Sequence, residues 1–500
     1  MMHNLTRNSI IFYLLLTSCC LLLFAYPPGW SDDILLTPET PGYRLDPDIS
    51  VDESNNVWVV WDSTFWGSTG YVYYTKRDSL GNCLIPETVL PDSDASNNGH
   101  VKVAIDAANN VHIQWTEPSV TGEGIGYAKL DNSGSLIVNP HLAMPGYGTG
   151  ESCNRHAIAL DKYKNIHVIW DEQPLESNQI SYTKLDSLGD TLIGRIRVSP
   201  VGVYAIWPGI GVDSFANCHL GYRLAYTSID SLAYTKIDKD GNILISNKIL
   251  DAGTLPSIVA DRSQNIHMVY PSNPTGYAWS IRYLKLDQNG NFLVAPKTIF
   301  NGFGAVHMAI DSLQYLHVVW DPESSGVQTI TYTKLDTLGN FVIPPMQIVY
   351  PPYSPGGGAP RIAVDKSNRL HLVWVDGRLD PGVTCDIFYK RGENETTVRE
   401  IKKLRYIEQD RIKIYPNPFS DVTRITFLFR GIEHSFSPTD RLEIYEITGR
   451  QVKTFASCRL AGTITWEGTD DHNIKLPNGV YFIRFTCETG QKAVSVIKLQ

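Results

Sequence analysis

Between residues 46 and 390 short apolar runs alternate with short polar turns, and the alternation itself repeats. In one stretch the runs are Val101–Ile105, Val111–Trp115, Ile125–Leu130 and Ser135–Val138. The turn-forming segments Ala107–Asn110 and Asp131–Gly134 lie among them. Short runs rich in β-branched and aromatic residues, bounded by Asn, Asp, Gly and Ser, predict strands.

One phrase marks every copy: an Asp, often an Asn four residues on, a His at six, a Trp or Tyr at nine. It reads Asp106, Asn110, His112, Trp115, then Asp161, Asn165, His167, Trp170. Asp213, Asn217, His219, Tyr222 and Asp261, Asn265, His267, Tyr270 follow. Asp311, His317, Trp320 and Asp365, His371, Trp374 keep three positions, and the first copy has Asp52, Asn56, Trp58, Trp61. The Asp-to-Asp intervals are 54, 55, 52, 48, 50 and 54. A second phrase, Tyr-Thr-Lys-x-Asp and then Gly, follows in most copies, as at Tyr182-Thr183-Lys184. A four-strand unit repeating at about 50 residues predicts one blade of a β-propeller, and seven copies predict seven blades. The seventh copy lacks its fourth strand. Ile34-Leu35-Leu36-Thr37 precedes the first copy, so residues 33–38 are expected to complete the last blade and remove an exposed edge.

Two residues before each repeat Asp stand Ser50, Ala104, Ala159, Gly211, Val259, Ala309 and Ala363, mostly small, as an axis crowded by seven strands requires. Four before it stand Asp48, Lys102, Ala157, Gly209, Ser257, His307 and Arg361. This position varies, is often polar and is expected to line a central channel. Asp48, Lys102, His307 and Arg361, with Arg155 and His156 nearby, are the candidate ligand-binding set at the channel mouth. Lys102 and Arg361 suit an anionic group such as a sugar carboxylate.

The symmetric residues read differently. Equivalent histidines on different blades cannot converge on one ion, so no metal centre is expected from them. Each His and ninth-position aromatic reads as blade core, and each Asp–Asn pair as a turn clamp. Asp238-Lys239-Asp240-Gly241-Asn242 has a calcium-loop flavour, but it lacks the downstream Glu and its equivalents are plain hairpins. No phosphate loop, HExxH or Ser-His-Asp order occurs, so no cofactor and no catalytic residue is assigned.

Charge narrows the partners. The 500 residues carry a formal net charge of -9, of which residues 411–500 contribute +3. An acidic remainder excludes nonspecific nucleic-acid binding. Arg7 followed by the apolar stretch Ile10–Ala25 reads as a secretory signal over residues 1–25, cleaved after Ala25. Leu16-Thr17-Ser18-Cys19 leaves lipidation at Cys19 as the rival reading. No later segment reaches about 18 uninterrupted apolar residues, so no transmembrane segment is expected in the mature chain. Cys458 and Cys487 are candidates either to pair or to remain buried thiols.

Residues 394–410 are charged and unpatterned and read as a linker; 26–393 hold the repeats. From 411 the pattern changes: Arg411–Tyr415, Thr423–Phe429, Arg441–Glu446, Gln451–Phe455, Gly462–Trp466, Gly479–Thr486 and Ala493–Leu499 predict seven strands of an Ig-like β-sandwich. Asn478-Gly479 predicts a tight turn. Tyr415-Pro416-Asn417-Pro418-Phe419, Ile444-Tyr445-Glu446-Ile447-Thr448-Gly449-Arg450, Trp466-Glu467-Gly468 and Leu476-Pro477-Asn478-Gly479-Val480-Tyr481 resemble the C-terminal sorting domain of type IX secretion cargo. They are similar also to the FlgD-type Ig-like domain. The resemblance implies engagement of that secretion machinery and release to, or attachment at, the outer surface of a Gram-negative-type bacterium.

The repeats resemble, more generally, the sialidase-like propellers of secreted bacterial proteins. The Ser-x-Asp-x-Gly-x-Thr-Trp box and the Phe/Tyr-Arg-Ile-Pro segment of sialidases are absent. The expectation is a secreted or surface protein whose propeller face binds glycan or protein ligands. The alternative is a secreted carbohydrate-active enzyme, a glycoside hydrolase or polysaccharide lyase.

Overall fold

Strand pairing in the computed structural model follows the repeat. The structure describes residues 29–392 and 411–499, apart from 38–42, 65–69, 96–99, 120–121, 147–152, 174–176, 226–229, 277, 323–328, 350–357, 380–384, 429–440, 449, 456–462 and 488–489. The expected signal over residues 1–25 and the expected linker over 394–410 lie outside the described residues. Every regular element among those described is a strand, so the chain is all-β. It divides into two compact units, 1–394 and 395–500.

Each of the first six copies forms one four-stranded antiparallel sheet in chain order, and the seventh supplies three strands of another. In the third copy the strands are Cys153–Leu160, Ile166–Glu172, Gln179–Leu185 and Thr191–Arg197. The middle two are buried along their whole length, because neighbouring sheets cover both faces. The outer strand exposes its first residues, Leu192 among them. Among the described residues this unit holds seven four-stranded sheets. Their innermost strands are Tyr43–Val51, Lys102–Ile105, Cys153–Leu160, Tyr204–Val212, Ser257–Ala260, Val306–Ile310 and Gly358–Val364. Each lies against the innermost strands of the sheets before and after it, and the last returns to the first, an arrangement consistent with a β-propeller.

The seventh sheet takes its outermost strand from the start of the chain. Ile34–Leu35 pairs antiparallel with Asp386–Gly392, Ile34 opposite Tyr389 and Leu35 opposite Phe388. The Leu36 N–H donates to the Ile387 carbonyl (2.9 Å) and the Ser31 N–H to that of Arg391 (2.8 Å).

The repeat phrase is a polar circuit inside this apolar stack. Each Asp clamps the turn after the innermost strand: Asp161 Oδ1 accepts the N–H groups of Tyr163 (2.8 Å) and Asn165 (2.9 Å), and Oδ2 accepts Asn165 Nδ2 (2.9 Å). His167 Nε2 lies 3.2 Å from Asp161 Oδ2, and Nδ1 lies 2.8 Å from the Tyr182 hydroxyl. The same His–Tyr pair recurs at His112, His219, His267, His317 and His371. Each buried imidazole is thereby a structural group. In the first sheet Trp58 replaces it, stacking on Tyr74 with Lys76 over the ring. The Lys of the second phrase reaches the next sheet: the ammonium groups of Lys76, Lys129, Lys184 and Lys236 donate to the carbonyls of Asn132, Ser187, Lys239 and Gln288. Asp238–Asn242 is one of these outer hairpins, its Asp238 Oδ1 accepting the Asp240 and Asn242 N–H groups.

A second circuit crosses between sheets at the turns after the innermost strands. The third residue after the repeat Asp is left-handed, and where it is Asn or Gln its side-chain oxygen accepts an N–H from the preceding sheet. Asn109 accepts from Glu53, Gln264 from Ser214, Gln314 from Arg262 and Asn368 from Ser312. Asn55 accepts from Lys366 (2.9 Å), which joins the first sheet to the last. Lys164 and Ala216 occupy the position in the third and fourth sheets.

Among the described residues the C-terminal unit holds two sheets. Arg411–Tyr415, Thr423–Leu428 and Thr463–Trp466 form one; Gln451–Phe455, Arg441–Glu446, Gly479–Cys487 and Gly490–Lys498 form the other. Between them Phe419, Ile425, Leu442, Ile444, Trp466, Tyr481, Ile483 and Val496 make one core. Asn417 Oδ1 accepts the Ile497 N–H (2.9 Å), and Thr423 Oγ1 donates to the Pro416 carbonyl (2.6 Å), fixing the Pro-Asn-Pro segment. Asn478-Gly479 is a bend leading into a strand rather than a two-residue turn, and neither residue is left-handed. Cys83, Cys218 and Cys385 are free thiols. Cys458 and the Cys487 side chain lie outside the described residues.

Candidate functional site

The candidate set sits at the start of the innermost strands, and it splits into two kinds of residue. The first kind ties neighbouring sheets together. Asp48 Oδ2 accepts the Val103 N–H (3.0 Å), Ser257 Oγ the Met308 N–H (3.0 Å) and His307 Nδ1 the Ile362 N–H (3.2 Å). In each case a side chain four residues before its repeat Asp satisfies the backbone of the next innermost strand. Asp48 is only 9% exposed, and a Cβ on Gly209 would sit 2.0 Å from the Pro256 carbonyl. The position therefore faces the next sheet at these places, which corrects the expectation of a uniform channel lining. A β-bulge lies just upstream at two of these places, between Leu45 and Asp48 and between Ile206 and Gly209, whereas Ser257 and His307 sit in unbroken registers.

The second kind is cationic and does no such work. Lys102 Nζ donates to the Val101 carbonyl (3.0 Å) and an Arg361 guanidinium N–H to that of Pro360 (3.3 Å), each beside its own residue. Arg361 Nε also lies 3.9 Å from Asp48 Oδ1. Burial lowers the Lys102 pKa and Arg361 lowers it further, with Asp48, Asp46 and Asp62 opposing. Burial, then Arg361 and Lys102, hold His307 well below the usual imidazole range. With its Nδ1 lone pair taken by Ile362, the neutral ring carries its proton on Nε2 and is a donor, not a base.

Two residues upstream, the left-handed residues Asp46, His100 and Trp207 form a rim. Asp46 Oδ2 lies 2.8 Å from His100 Nδ1. Burial would raise the Asp46 pKa, but His100, Lys102 and Arg155 together bring it below the carboxylate range. The Trp207 ring carries two guanidinium groups, Arg155 at 5.6 Å and Arg223 at 4.9 Å. Asp171 holds this corner: Oδ1 accepts the Arg155 N–H (2.7 Å) and Oδ2 the Trp207 N–H (3.0 Å). His156 is buried between the second and third sheets, its pKa pushed well down by burial, then Lys102 and His100.

Asp48, Lys102, His307 and Arg361 thus come together, with Arg155 beside them. Sequence reasoning missed Asp46, His100, Trp207 and Arg223. The signal of the first three was the position six before the repeat Asp, polar or aromatic in the first four copies (Asp46, His100, Arg155, Trp207) and apolar in the last three (Leu255, Ala305, Ala359); Arg223 stands ten after its repeat Asp. Among the described residues no group of three His, Cys, Asp or Glu side chains is placed to hold a metal.

No curated protein matches the sequence. Among solved structures, one similar chain is a protein of unknown function from Dyadobacter fermentans, 9% identical with a TM-score of 0.47, covering 73% of this chain and 99% of that one. PorZ, a surface component of the type IX secretion system of Porphyromonas gingivalis, is 12% identical with a TM-score of 0.38, covering 93% and 60%. The polysaccharide lyase Uly1 is 8% identical with a TM-score of 0.45, covering 69% and 89%. Residues 413–499 match the family described as the secretion system C-terminal sorting domain, so this segment is a type IX sorting domain and the protein is secreted or attached at the outer-membrane surface.

Proposed function

We propose that residues 26–393 form a seven-bladed β-propeller, that 411–500 form an Ig-like sandwich that sorts or anchors it, and that the propeller's channel mouth binds an acidic glycan without cleaving it. The observation that carries the binding reading is the division of labour at the mouth. Asp46 is paired with His100 and Asp171 caps two backbone N–H groups, while Lys102 donates to the adjacent Val101 carbonyl and Arg361 to that of Pro360, with Asp48 at the longer distance of 3.9 Å from Arg361. Such cations are free to exchange a weak neutral acceptor for a carboxylate or sulfate, a stronger charge-assisted bond. Glycoside hydrolysis needs one carboxyl kept protonated. Asp46 is instead held ionised and Asp48 is spent on Val103 and Arg361; burial raises the Asp171 pKa, but both its oxygens are taken by the Arg155 and Trp207 N–H groups.

The full chain on an array of acidic and neutral glycans tests this. Retention of acidic glycans without product release, weakened at least tenfold in Lys102→Ala/Arg361→Ala, is the expected result. Released product would establish the carbohydrate-active enzyme instead, and no acidic preference would refute the anionic ligand.

A further inference from the structure

One inter-sheet contact departs from all the others. Eight residues after the repeat Asp stand Val60, Ile169, Gly221, Val269, Val319 and Val373, but Gln114 in the second copy. Five before it stand Pro47, Val101, Pro208, Pro256, Val306 and Pro360, but His156 in the third. The single Gln and the single His meet across the same interface, the His156 ring facing the Gln114 backbone without a well-formed hydrogen bond. Gln114 is wholly buried and both atoms of its amide lack a partner. His156 is 3% exposed, with both ring nitrogens in the same state. Thr116, two residues along and wholly buried, leaves its hydroxyl unpaired as well. Four of these five unpaired atoms stand where the sister interfaces place Val, Ile, Gly or Pro; the fifth, on Thr116, stands where the other copies carry Asp62, Asp171, Arg223, Pro271, Asp321 and Val375. An unmade buried hydrogen bond is costly, and each such group in a native fold calls for a reason.

The position of Lys102 supplies one. It stands directly opposite Gln114 in the strand register, so both side chains leave the same face of the second sheet. Lys102 is also the first charge acting on the His156 imidazole. The unpaired set therefore lies directly behind a long, flexible side chain whose tip is half-buried at the channel mouth.

We infer that Gln114, His156 and Thr116 form a second compartment of the channel site, which takes the hydroxyl groups of the sugar whose acidic group Lys102 and Arg361 hold. The inference rests on the acidic-glycan reading above. Lys102 moves aside to meet the anion, and that movement opens the compartment. The chemistry fits hydroxyls better than an ion. A neutral amide, a neutral imidazole and a hydroxyl each offer both donors and acceptors and carry no net charge. Each sugar hydroxyl both donates and accepts. A site built to hydrogen-bond a hydroxyl also rejects analogues that lack it, because its own polar groups are then left unpaired.

The test pairs stability with binding in the full-length chain. Gln114→Val/His156→Val installs apolar residues of the kind the sister interfaces carry. Its melting temperature should rise by roughly 2 °C or more, while affinity for acidic tetrasaccharides containing glucuronate, galacturonate or mannuronate falls at least tenfold. The single variant Thr116→Val should weaken binding in the same direction. A fall in melting temperature would show that the polar pair holds the fold, and would overturn the inference. A rise with unchanged binding would show a compartment that holds only water, and would overturn it equally. If the wild-type chain binds none of the acidic tetrasaccharides, the acidic-glycan reading fails and this inference with it. If Lys102→Ala/Arg361→Ala loses binding but the Gln114/His156 variant does not, only the compartment fails.

Discussion

Acidification should unfold this protein through its buried histidines, and His112 sets the scale. Its ring is wholly buried, with Nδ1 2.9 Å from the Tyr127 hydroxyl and Nε2 3.6 Å from Asp106 Oδ2. Burial, reinforced by Lys129, holds its pKa at about 4 against 6.5 for an unhindered imidazole. The unfolded chain therefore takes up a proton at a pH where the folded chain refuses it. The stability tied to His112 is complete above pH 6.5, falls as pH drops toward 4, and changes no further below that. The full gap is worth about 3 kcal/mol, of which about 2 kcal/mol is lost between pH 7 and pH 5. Burial lowers His167, His219, His267 and His371 in the same direction, so the whole protein loses more than this over the same window. Urea unfolding at pH 7 and pH 5 measures the loss in the wild type and in His112→Gln, which cannot titrate. The variant starts less stable, but its loss on acidification should be smaller by about 2 kcal/mol. An equal loss in both proteins would refute the reasoning, since His112 would then contribute nothing to the proton uptake.

Three further outcomes follow from the geometry. Asn55→Gly keeps the left-handed backbone but removes the bond from Lys366 that closes the first sheet on the last, and should cost about 1 kcal/mol in chemical unfolding. Lys164→Asn installs the missing amide at an equivalent left-handed position and should stabilise by roughly 0.5–1 kcal/mol in the same assay. Gly189→Ala places a methyl 2.2 Å from Tyr127 Cδ1 at φ +88° and should destabilise by about 3 kcal/mol, read as a lowered melting temperature.

The sheets were legible because their causes are local and repeated. Asp161, Asn165 and His167 recur at fixed offsets, and a turn clamp with a His–Tyr pair needs those residue types at those offsets. The strands of the C-terminal unit fell within a few residues of their sequence bounds for the same reason: each is an apolar run cut by turn formers. The site was less legible. Asp48 and His307 looked like channel chemistry because they were polar and irregular, yet both are satisfied by the next innermost strand. A bulge lies just upstream of Asp48, and a bulge leaves no mark in a period-two pattern; His307 sits in an unbroken register, and its bond to the next strand is tertiary. Asp46, His100 and Trp207 escaped notice because their left-handed backbone is imposed by tertiary bonds such as Asp171 to Trp207, between residues 36 positions apart. The Gln114–His156 pair became visible only once adjacent copies were known to touch at those two positions.

The most direct test of the account is a crystal structure of the full chain with an acidic glycan selected from the array. The account predicts a carboxylate or sulfate within hydrogen-bond distance of Lys102 Nζ and the Arg361 guanidinium, with the Lys102–Val101 bond broken. A ligand seated elsewhere, such as the groove of Tyr71, Tyr73, Glu87 and Val89 on the first sheet, with Lys102 and Arg361 unmoved, would contradict it.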